Sequence, residues 1–153
     1  MRLSLGGAAA DAKLGILLVN LGTPAAPTAK AAKAYLAEFL SDPRVIDLPR
    51  ALWLPILHGV ILNIRPRLSA KAYASIWCAD TDESPLRRYT RRQAERLQER
   101  MGAQVVVEWA MRYGAPSINE GLAKLHAAGA ERTHVQPLYP QYSATTTATS
   151  FDA

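Results

Sequence analysis

One segment of the chain reads Gly15-Ile16-Leu17-Leu18-Val19-Asn20-Leu21-Gly22-Thr23-Pro24, an aliphatic run that ends abruptly in turn-forming residues. A continuous Ile/Leu/Val run is typical of a strand covered on both faces, because a half-exposed strand would alternate apolar and polar residues. In open α/β sheets, ligands bind at the loops that follow the carboxyl ends of such strands. We therefore predict a buried parallel strand here, followed by a ligand-contacting turn at residues 20–23. An ordinary strand-to-helix turn is the alternative.

The rest of the chain alternates between helical and strand patterns. Further strands are predicted over residues 104–110 and 133–138, and helix starts are predicted at Thr28, at Ser84 and at Pro116-Ser117-Ile118. The order of strands and helices predicts an α/β fold whose three-stranded parallel sheet has right-handed crossovers. The carboxyl ends of the three strands would then bring residues 20–23, 112–113 and 141–143 to one edge.

Composition limits the classes of partner. The 153 residues carry a net charge of +5, which favours an anionic partner such as nucleic acid, a phospholipid headgroup or a carboxylate-bearing small molecule, and selects none of them. The single Cys78 excludes an intrachain disulfide and a Cys-only metal site, and fits a reducing compartment. Residues 1–13 are interpreted as a disordered tail, since their short apolar segment lacks the length of a signal sequence.

Residues 50–67 are unusually apolar. They are too short to span the ~30 Å hydrocarbon core of a bilayer as a helix, and Pro55 should kink any helix through them. The segment is either a buried core helix or an exposed apolar lip whose Arg50, Arg65 and Arg67 contact anionic headgroups. Within it, His58 is interpreted as a packed or rim histidine, because no second metal ligand lies at helical spacing.

A helix is predicted after Ser84-Pro85, ending at Gly102. Its outer face is strongly basic, which favours a solvated surface, with a nucleic-acid contact as the alternative. The arginines of this face are Arg87, Arg88, Arg91, Arg92, Arg96 and Arg100. The predicted inner face consists of Leu86, Tyr89, Ala94, Leu97 and Met101.

The predicted sheet edge carries a mixed set of polar groups. It combines the guanidinium of Arg112, the phenols of Tyr113 and Tyr142, and the amides of Asn20 and Gln141 with several hydroxyls. Such a mixture beside an apolar lip suits a large, flat, mostly apolar ligand with anionic substituents. No glycine-rich phosphate loop and no metal-ligand spacing are present in the sequence. The edge also lacks a general base.

Several motifs resemble those of the ferrochelatases, which insert ferrous iron into a porphyrin in haem biosynthesis. The specific matches are the segment at 15–24, Met-Arg-Tyr-Gly at 111–114, and Tyr-Pro-Gln-Tyr-Ser-Ala-Thr-Thr-Thr at 139–147. Supporting matches are Phe-Leu-Ser-Asp-Pro-Arg-Val-Ile-Asp-Leu-Pro at 39–49 and Ser-Pro-Leu at 84–86. Five matches in order are very unlikely to arise by chance, and the resemblance covers residues 13–153.

The resemblance implies two similar domains of flavodoxin- or Rossmann-like, three-layer parallel-sheet architecture with a porphyrin cleft between them. Residues 14–153 would form the first, N-terminal domain, and the C-terminal catalytic domain would be absent from the sequence. Ferrous iron and porphyrin are then the expected substrates, with no bound cofactor. A cytoplasmic location is expected, with a peripheral contact to the inner membrane as a further implication.

The resemblance also implies site residues. The expected porphyrin contacts are Asn20, Leu21, Gly22, Thr23, Arg112, Tyr113, Tyr139, Gln141, Tyr142 and Ser143. Arg65 and Arg67 are expected to meet a propionate, by a looser match. The apolar lip, expected to face a membrane, consists of Trp53, Leu54, Leu57 and Ile61.

The family's catalytic histidine lies in a Ser-x-His motif, with an acidic partner further on, and neither occurs in this sequence. His58, His126 and His134 do not match it. We therefore expect no catalytic residue and no metal ligand in this chain, which alone should be inactive. Ala144 stands where some members carry a cluster-ligating cysteine, so no iron–sulfur cluster is expected.

Two other functions remain open at this point. One is a non-catalytic porphyrin-binding or membrane-surface module, and the other is a nucleic-acid-binding domain that uses the basic helix at residues 87–100. Nucleic acid is not the expected partner. An unfinished sheet and an exposed lip also predict a homodimer that shields both.

Overall fold

The fold is built on a small parallel sheet. The computed structural model describes residues 13–152, so the predicted tail at 1–13 lies, apart from Lys13, outside the described residues. The three strands are β1 (Leu14–Gly22), β2 (Val105–Tyr113) and β3 (Arg132–Pro137), all parallel in the order β2-β1-β3. The predicted α/β fold with a parallel sheet is confirmed, and the aliphatic run is the central strand.

Helices connect and cover the strands. They are α1 (Ala29–Ser41), α2 (Arg50–Ile56), α3 (Leu62–Ile76), α4 (Pro85–Met101), α5 (Ile118–Ala127) and the short α6 (Thr149–Phe151). Turns of π-helix occupy Leu57–Ile61, between α2 and α3, and Ala144–Ala148, before α6. α3 therefore continues without a break from the apolar segment through Ser69 to Ile76.

Helix starts follow local sequence signals. The side chains of Thr28, Ser84 and Ser117 each accept a hydrogen bond from a backbone N–H in the first turn of α1, α4 and α5. These bonds satisfy donors that have no partner within the helix. Both the Thr28 and the Ser84 cap are predicted correctly, and α5 begins within the predicted start at Pro116-Ser117-Ile118, with Ser117 as its N-cap.

Three apolar clusters define the layers. Leu17 and Val19 pack with Leu125 toward α5, whereas Ile16 and Leu18 pack with Ala94 toward α4. Successive side chains of a strand point to opposite faces, so β1 supplies both of these cores. A third cluster lies beyond the carboxyl end of the sheet, where α1 packs against α3 and the π turn that precedes it. This cluster positions the helices around the strand ends.

The apolar segment at residues 50–67 is neither wholly buried nor wholly exposed. Leu57 and Leu62 are buried, and the Trp53 indole Nε1 donates to the Leu40 carbonyl oxygen at 2.7 Å. The inward face therefore packs onto the core, while the outward face is exposed. We call the exposed outward side chains the apolar stripe: Leu52, Ile56, Val60, Ile64 and Leu68.

This arrangement corrects the predicted lip. Leu57 is fully buried, and Trp53, Leu54 and Ile61 are partly buried against the core at the strand ends, so these four form the packed face. Pro55 does not end the helical path, which continues through the π turn into α3. None of the helices in residues 13–152 combines the length and apolarity needed to cross a bilayer.

The inner face of α4 is also corrected. Thr90 and Ala94 are buried, whereas Tyr89 is 61% exposed and Leu86 and Met101 are exposed as well. The polar Thr90 side chain can be buried because its hydroxyl donates to the Leu86 carbonyl oxygen at 2.8 Å. The helix is therefore rotated so that Leu86 and Tyr89 face a cavity rather than the core.

Candidate functional site

A cavity of 530 Å³ opens at the carboxyl end of β1, and we call it the strand-end cavity. Its wall comes from β1 and the turn after it, α1, the end of α3 and the start of α4. Its lining residues are Asn20, Leu21, Gly22, Thr23, Tyr35, Tyr73, Ile76, Ser84, Pro85, Leu86, Tyr89, Thr90 and Gln93. The turn at residues 20–23, predicted as a ligand contact, therefore lines a cavity of the size that small molecules occupy.

The Asn20 side chain fixes the position of this turn. Its Nδ2 donates to the Thr90 Oγ1 at 3.0 Å, and its Oδ1 accepts from the Leu21 backbone N–H at 2.9 Å. The amide thus ties the end of β1 to α4, and both elements line the cavity. Thr23 is 3% exposed, and its hydroxyl has no hydrogen-bond partner within residues 13–152. A buried, unpaired hydroxyl next to a cavity is a candidate for a bond to a ligand.

Gly22 allows the ends of β1 and β2 to lie close together at the site. Its φ of 120° lies in the region that favours glycine. A Cβ at this position would lie 1.9 Å from the Tyr113 carbonyl oxygen, which is far inside van der Waals contact. The glycine therefore permits the close approach of β1 and β2 immediately before the turn.

Two tyrosines form the aromatic part of the wall. The rings of Tyr35 and Tyr73 meet edge to face with centroids 6.5 Å apart, and Tyr35 also lies against Phe39 at 6.0 Å. Burial raises the pKa of both phenols, and for Tyr35 the neighbouring phenols raise the pKa further. Both side chains therefore stay protonated near neutral pH. They can donate hydrogen bonds and offer apolar surface, but they are not proton acceptors.

Arg112 and Tyr113 lie at the same sheet edge but in a different cavity, also of 530 Å³, which we call the Asp42 cavity. The Arg112 Nη2 contacts the Asp42 Oδ2 at 2.8 Å, and the Tyr113 hydroxyl donates to the same oxygen at 2.9 Å. Burial raises the pKa of Tyr113, and the Asp42 carboxylate raises the pKa further. Asp42 thus supplies the countercharge of Arg112, and the three side chains form a polar network that supports the sheet edge. The structure does not place it with Asn20 in the strand-end cavity.

Residues 139–143 continue this edge without lining the strand-end cavity. The Tyr139 hydroxyl is buried and has no partner within residues 13–152, and burial raises the pKa of Tyr139 to about 12. Gln141 and Tyr142 are exposed, whereas Ser143 accepts a hydrogen bond from the Thr145 backbone N–H at 3.2 Å. Ser143 therefore begins the second π turn. Among the four, only Tyr142, 75% exposed, presents a large side chain to solvent.

The two arginines expected at a propionate lie away from the strand-end cavity. Arg67 lines a separate depression of 370 Å³ between α1 and α3, which we call the Lys30 cavity, together with Lys30, Lys33 and Asn63. Arg65 lies on the exposed surface of α3 and does not line the strand-end cavity. The structure therefore does not bring these arginines to the turn at residues 20–23.

None of the three histidines lines the strand-end cavity. His58, His126 and His134 are all exposed, on the first π turn, α5 and β3 respectively. Among the described residues, no three His, Cys, Asp or Glu side chains are arranged to hold a metal ion. The cavity therefore offers binding surface and hydrogen-bond donors, and its lining contains no carboxylate and no imidazole.

Nine of the thirteen lining residues were not predicted from the sequence as part of a site. Tyr73 and Ile76 come from α3, which packs against α1, whereas Thr90 and Gln93 come from α4, which packs against β1 and β2. The orientation of both helices therefore depends on contacts between distant parts of the sequence. The one local signal was the pair Tyr73 and Ile76, which lie three residues apart on one side of α3. The turn residues were found because a buried parallel strand has a predictable end.

Comparisons with known proteins add an independent line of support. The family model described as Ferrochelatase matches residues 13–153. The ferrochelatase of Azoarcus sp. (strain BH72) is 60% identical over 144 residues, which are 92% of this chain and 39% of that protein. The ferrochelatases of Aromatoleum aromaticum (strain DSM 19018 / LMG 30748 / EbN1) and Marinobacter nauticus (strain ATCC 700491 / DSM 11845 / VT8) are 59% and 57% identical, with the same two shares. The chain thus spans 39% of the length of these relatives. Since the family model covers nearly every residue, this chain belongs to the ferrochelatase family.

Proposed function

We propose that this chain forms one wall of the porphyrin cleft in an enzyme that inserts ferrous iron into a porphyrin. The observation that carries the proposal is the strand-end cavity, whose aliphatic and aromatic wall lies at the end of β1 in a chain of this family. Asn20, Leu21, Gly22 and Thr23 contact the macrocycle from the turn. A planar, largely apolar ligand matches such a wall, since apolar surfaces hold its body while few polar groups orient it.

Metal insertion needs two contributions, distortion of the macrocycle and a base that accepts its protons, and the chain does not supply both equally. Bending the macrocycle exposes nitrogen lone pairs to the incoming metal, and binding energy from the periphery of the ring can sustain that strain. A base must then accept the displaced pyrrole protons. The phenols of Tyr35 and Tyr73 stay protonated, and none of the histidines lines the cavity. We infer that this chain binds and positions the substrate and that the chain by itself does not insert the metal.

Residues on the remainder of the edge have supporting roles in this proposal. Arg112 and Tyr113 hold the end of β2 through Asp42. Tyr139 and Ser143 shape the segment after β3, where the exposed Gln141 and Tyr142 can reach the part of a ligand that projects beyond the cavity. No bound cofactor and no iron–sulfur cluster form part of the proposal.

The decisive experiment is a titration of the purified chain with a dicarboxylate porphyrin, followed by Soret absorbance, with zinc added in the same cuvette. We expect saturable binding without metal insertion above the uncatalysed rate. Ile76→Asp places a charge in the apolar wall at a position that is 56% exposed, so it should weaken binding about tenfold without unfolding α3. Ile64→Asp is the matched control, because Ile64 is 62% exposed on the same helix and lies outside the cavity.

The titration separates the alternatives. Equal effects of the two variants, or no binding at all, would contradict the proposed cleft wall. Metal insertion well above the uncatalysed rate would show that a residue of this chain takes up the protons. A further test is a chimera in which this chain replaces the corresponding part of a full-length relative. If the chimera binds porphyrin but does not insert the metal, a non-catalytic porphyrin-binding module is favoured.

We further propose that the partners do not include nucleic acid. Half of the basic face of α4 is already engaged, since Arg91 bonds Glu83 at 2.6 Å and Glu95 at 2.8 Å, and Arg88 bonds Asp80 at 2.9 Å. The guanidinium of Arg87 also lies over the Trp109 ring. A steep salt dependence of binding to single- or double-stranded DNA would contradict this proposal.

Membrane contact is proposed for the apolar stripe, with the protein cytoplasmic and peripheral on the inner membrane. Five exposed aliphatic side chains on one helical path are unusual for a surface that faces only water. Such a surface can lie in the interfacial region of a bilayer with its basic neighbours at the headgroups. A homodimer that covers the same stripe is the alternative.

A further inference from the structure

A second basic feature lies beside the apolar stripe and has no part in the proposed porphyrin site. The Lys30 cavity measures 370 Å³ and is enclosed by the first turns of α1 and by α3. Three cationic side chains line it, and among residues 13–152 no carboxylate belongs to its lining. The lining residues are Ala29, Lys30, Lys33, Leu62, Asn63, Pro66 and Arg67.

The cations of this cavity lack countercharges. Within residues 13–152, Lys30, Lys33 and Arg67 form no salt bridge, whereas Arg87, Arg88 and Arg91 of α4 each face a carboxylate within 4.0 Å. Gathering three like charges around one concavity is unfavourable unless an anion is present to offset their repulsion. The unbalanced charge therefore indicates an anionic ligand.

Asn63 is a polar lining residue whose side chain is held in place by hydrogen bonds. Its Nδ2 donates to the carbonyl oxygens of His58 at 3.0 Å and Gly59 at 2.9 Å, both in the first π turn. Its Oδ1 faces the Lys33 Nζ at 3.5 Å. The amide is thus held by the backbone at the point where α3 begins, and it holds Lys33 toward the cavity.

The position of the cavity identifies the source of the anion. Asn63 and Arg67 line it, and the next residue after each is a member of the apolar stripe, Ile64 or Leu68, which are 62% and 64% exposed. Consecutive residues of a helix lie about 100° apart, so Asn63 and Arg67 place the cavity directly beside the stripe. An apolar face with a basic cavity at its side matches the depth profile of a phospholipid, whose acyl chains lie below its phosphate.

We propose that the Lys30 cavity binds the phosphate of an anionic phospholipid headgroup while the apolar stripe lies in the acyl region beneath it. This proposal rests on the membrane contact proposed above and names its partner. Lys30 and Lys33 approach the phosphate from α1, and Arg67 approaches it from α3. Arg67 is thereby assigned to a headgroup, as the apolar-lip interpretation of residues 50–67 expects, and not to the propionate that the family resemblance implies.

Vesicle co-sedimentation of the full chain tests the site. Vesicles of phosphatidylcholine alone are compared with vesicles of phosphatidylcholine and phosphatidylglycerol. We expect the wild type to prefer the anionic vesicles, and we expect Lys30→Gln/Lys33→Gln/Arg67→Gln to lose most of that preference. Since each cation near an anionic surface contributes roughly fivefold in binding, the loss should exceed about tenfold.

The matched control removes the same charge elsewhere. Arg92→Gln/Arg96→Gln/Arg100→Gln takes three cations from α4, so general attraction to the surface falls equally in both triple variants. If the two variants lose equal affinity, the headgroup site is wrong and the membrane contact stands. If the wild type binds both vesicle types equally, the site is likewise wrong.

A second pair of variants separates the two proposals. Ile64→Asn/Leu68→Asn should weaken binding to both vesicle types, because it removes apolar surface from the stripe. Failure of the wild type to bind either vesicle type would overturn both the membrane contact and the headgroup site. The six cations replaced here are all exposed, so we expect unchanged far-ultraviolet circular dichroism and thermal unfolding in both triple variants.

Discussion

Asp42 is the residue on which the edge of the sheet depends most. Its carboxylate accepts from the Arg112 guanidinium and the Tyr113 hydroxyl, and its Oδ1 accepts from the Arg44 backbone N–H at 2.8 Å. The side chains of Asp42 and Arg112 are only 9% and 16% exposed. Removing the charge of Asp42 therefore leaves a largely buried guanidinium without a countercharge.

We expect Asp42→Asn to lower the free energy of unfolding by about 3 kcal/mol, measured by urea denaturation. Asp47→Asn is the control, because Asp47 is exposed and forms no hydrogen bond or salt bridge within residues 13–152. It should leave the denaturation midpoint unchanged. Equal midpoints for the two variants would show that the Asp42 network contributes nothing to stability.

Gly22 offers a second test at the scale of one residue. Gly22→Ala forces a Cβ to within 1.9 Å of the Tyr113 carbonyl oxygen at a φ of 120°, so the ends of β1 and β2 must separate. We expect a loss of at least about 3 kcal/mol in the free energy of unfolding, by the same measurement. Porphyrin binding should fall with it, because the turn at residues 20–23 moves.

Gly59→Ala is the control for this substitution, since a Cβ at Gly59 would meet nothing within 4 Å. In a helical segment, alanine is favoured over glycine by roughly 0.5–1 kcal/mol, so this variant should be neutral or slightly more stable. A Gly22→Ala protein as stable as Gly59→Ala would mean that β1 and β2 tolerate a wider separation than their pairing indicates.

At the scale of the element, α5 carries a complete capping box. The Glu120 carboxylate accepts from the Ser117 backbone N–H at 2.6 Å, and the Ser117 hydroxyl accepts from the Glu120 N–H at 3.2 Å. The hydrogen bond from the Ser117 backbone lowers the pKa of Glu120. A carboxylate with a lowered pKa stabilises the folded state above its ordinary pKa of about 4.3, and this contribution is lost as the pH falls through the folded-state value.

We therefore expect the stability difference between the wild type and Glu120→Gln to be largest near neutral pH and to shrink below about pH 4. Urea denaturation at several pH values measures it. Glu99→Gln on α4 serves as the control, because its carboxylate forms no hydrogen bond or salt bridge within residues 13–152. A Glu120→Gln difference that stays constant with pH would contradict the role assigned to the box.

The elements differ in how much the sequence reveals of them. Helix starts at Thr28 and Ser84 were predictable, because a cap is a local contact between residues that are close in sequence. The rotation of α4 was not predictable from its apolar residues, since Leu86 and Tyr89 are exposed and Thr90 is buried. That rotation depends on contacts with β1 and β2, among them the hydrogen bond from Asn20, seventy positions earlier, to the Thr90 hydroxyl.

The apolar segment shows the same limit. Its composition was compatible with a buried helix or an exposed lip. The first π turn influences which of its residues are buried and which are exposed. Positions four apart drift by 40° around an α-helix, whereas a turn with i→i+5 bonds is wider and reduces that drift. Leu52, Ile56, Val60, Ile64 and Leu68 therefore remain on the exposed side, while Leu57 and Leu62 remain buried.

At the scale of the whole molecule, the apolar stripe should make the chain self-associate when no membrane is present. We expect the sedimentation coefficient to rise with protein concentration, because association removes exposed aliphatic surface from water. Ile56→Glu/Ile64→Glu should return the protein to the monomer. Tyr142→Glu, at a position that is 75% exposed outside the stripe, should leave association unchanged.

A clean monomer at high concentration of the wild type would contradict this expectation. Association that persists in Ile56→Glu/Ile64→Glu would instead assign the contact to the edge strands β2 and β3, whose outer backbone groups have no neighbouring strand within residues 13–152. The two outcomes therefore distinguish the helical surface from the sheet as the site of contact.

The central position of β1 has a consequence for how the chain is made. β1 is the earliest strand, yet its neighbours β2 and β3 lie roughly 90 and roughly 120 residues further along the sequence. At about 5–20 residues per second, the ribosome needs roughly 6–24 s to pass from the first strand to the last. For about the first three quarters of that interval, until β2 has been made, the aliphatic segment of β1 has no partner strand. Nascent β1 is therefore the segment that a chaperone at the ribosomal exit would have to shield.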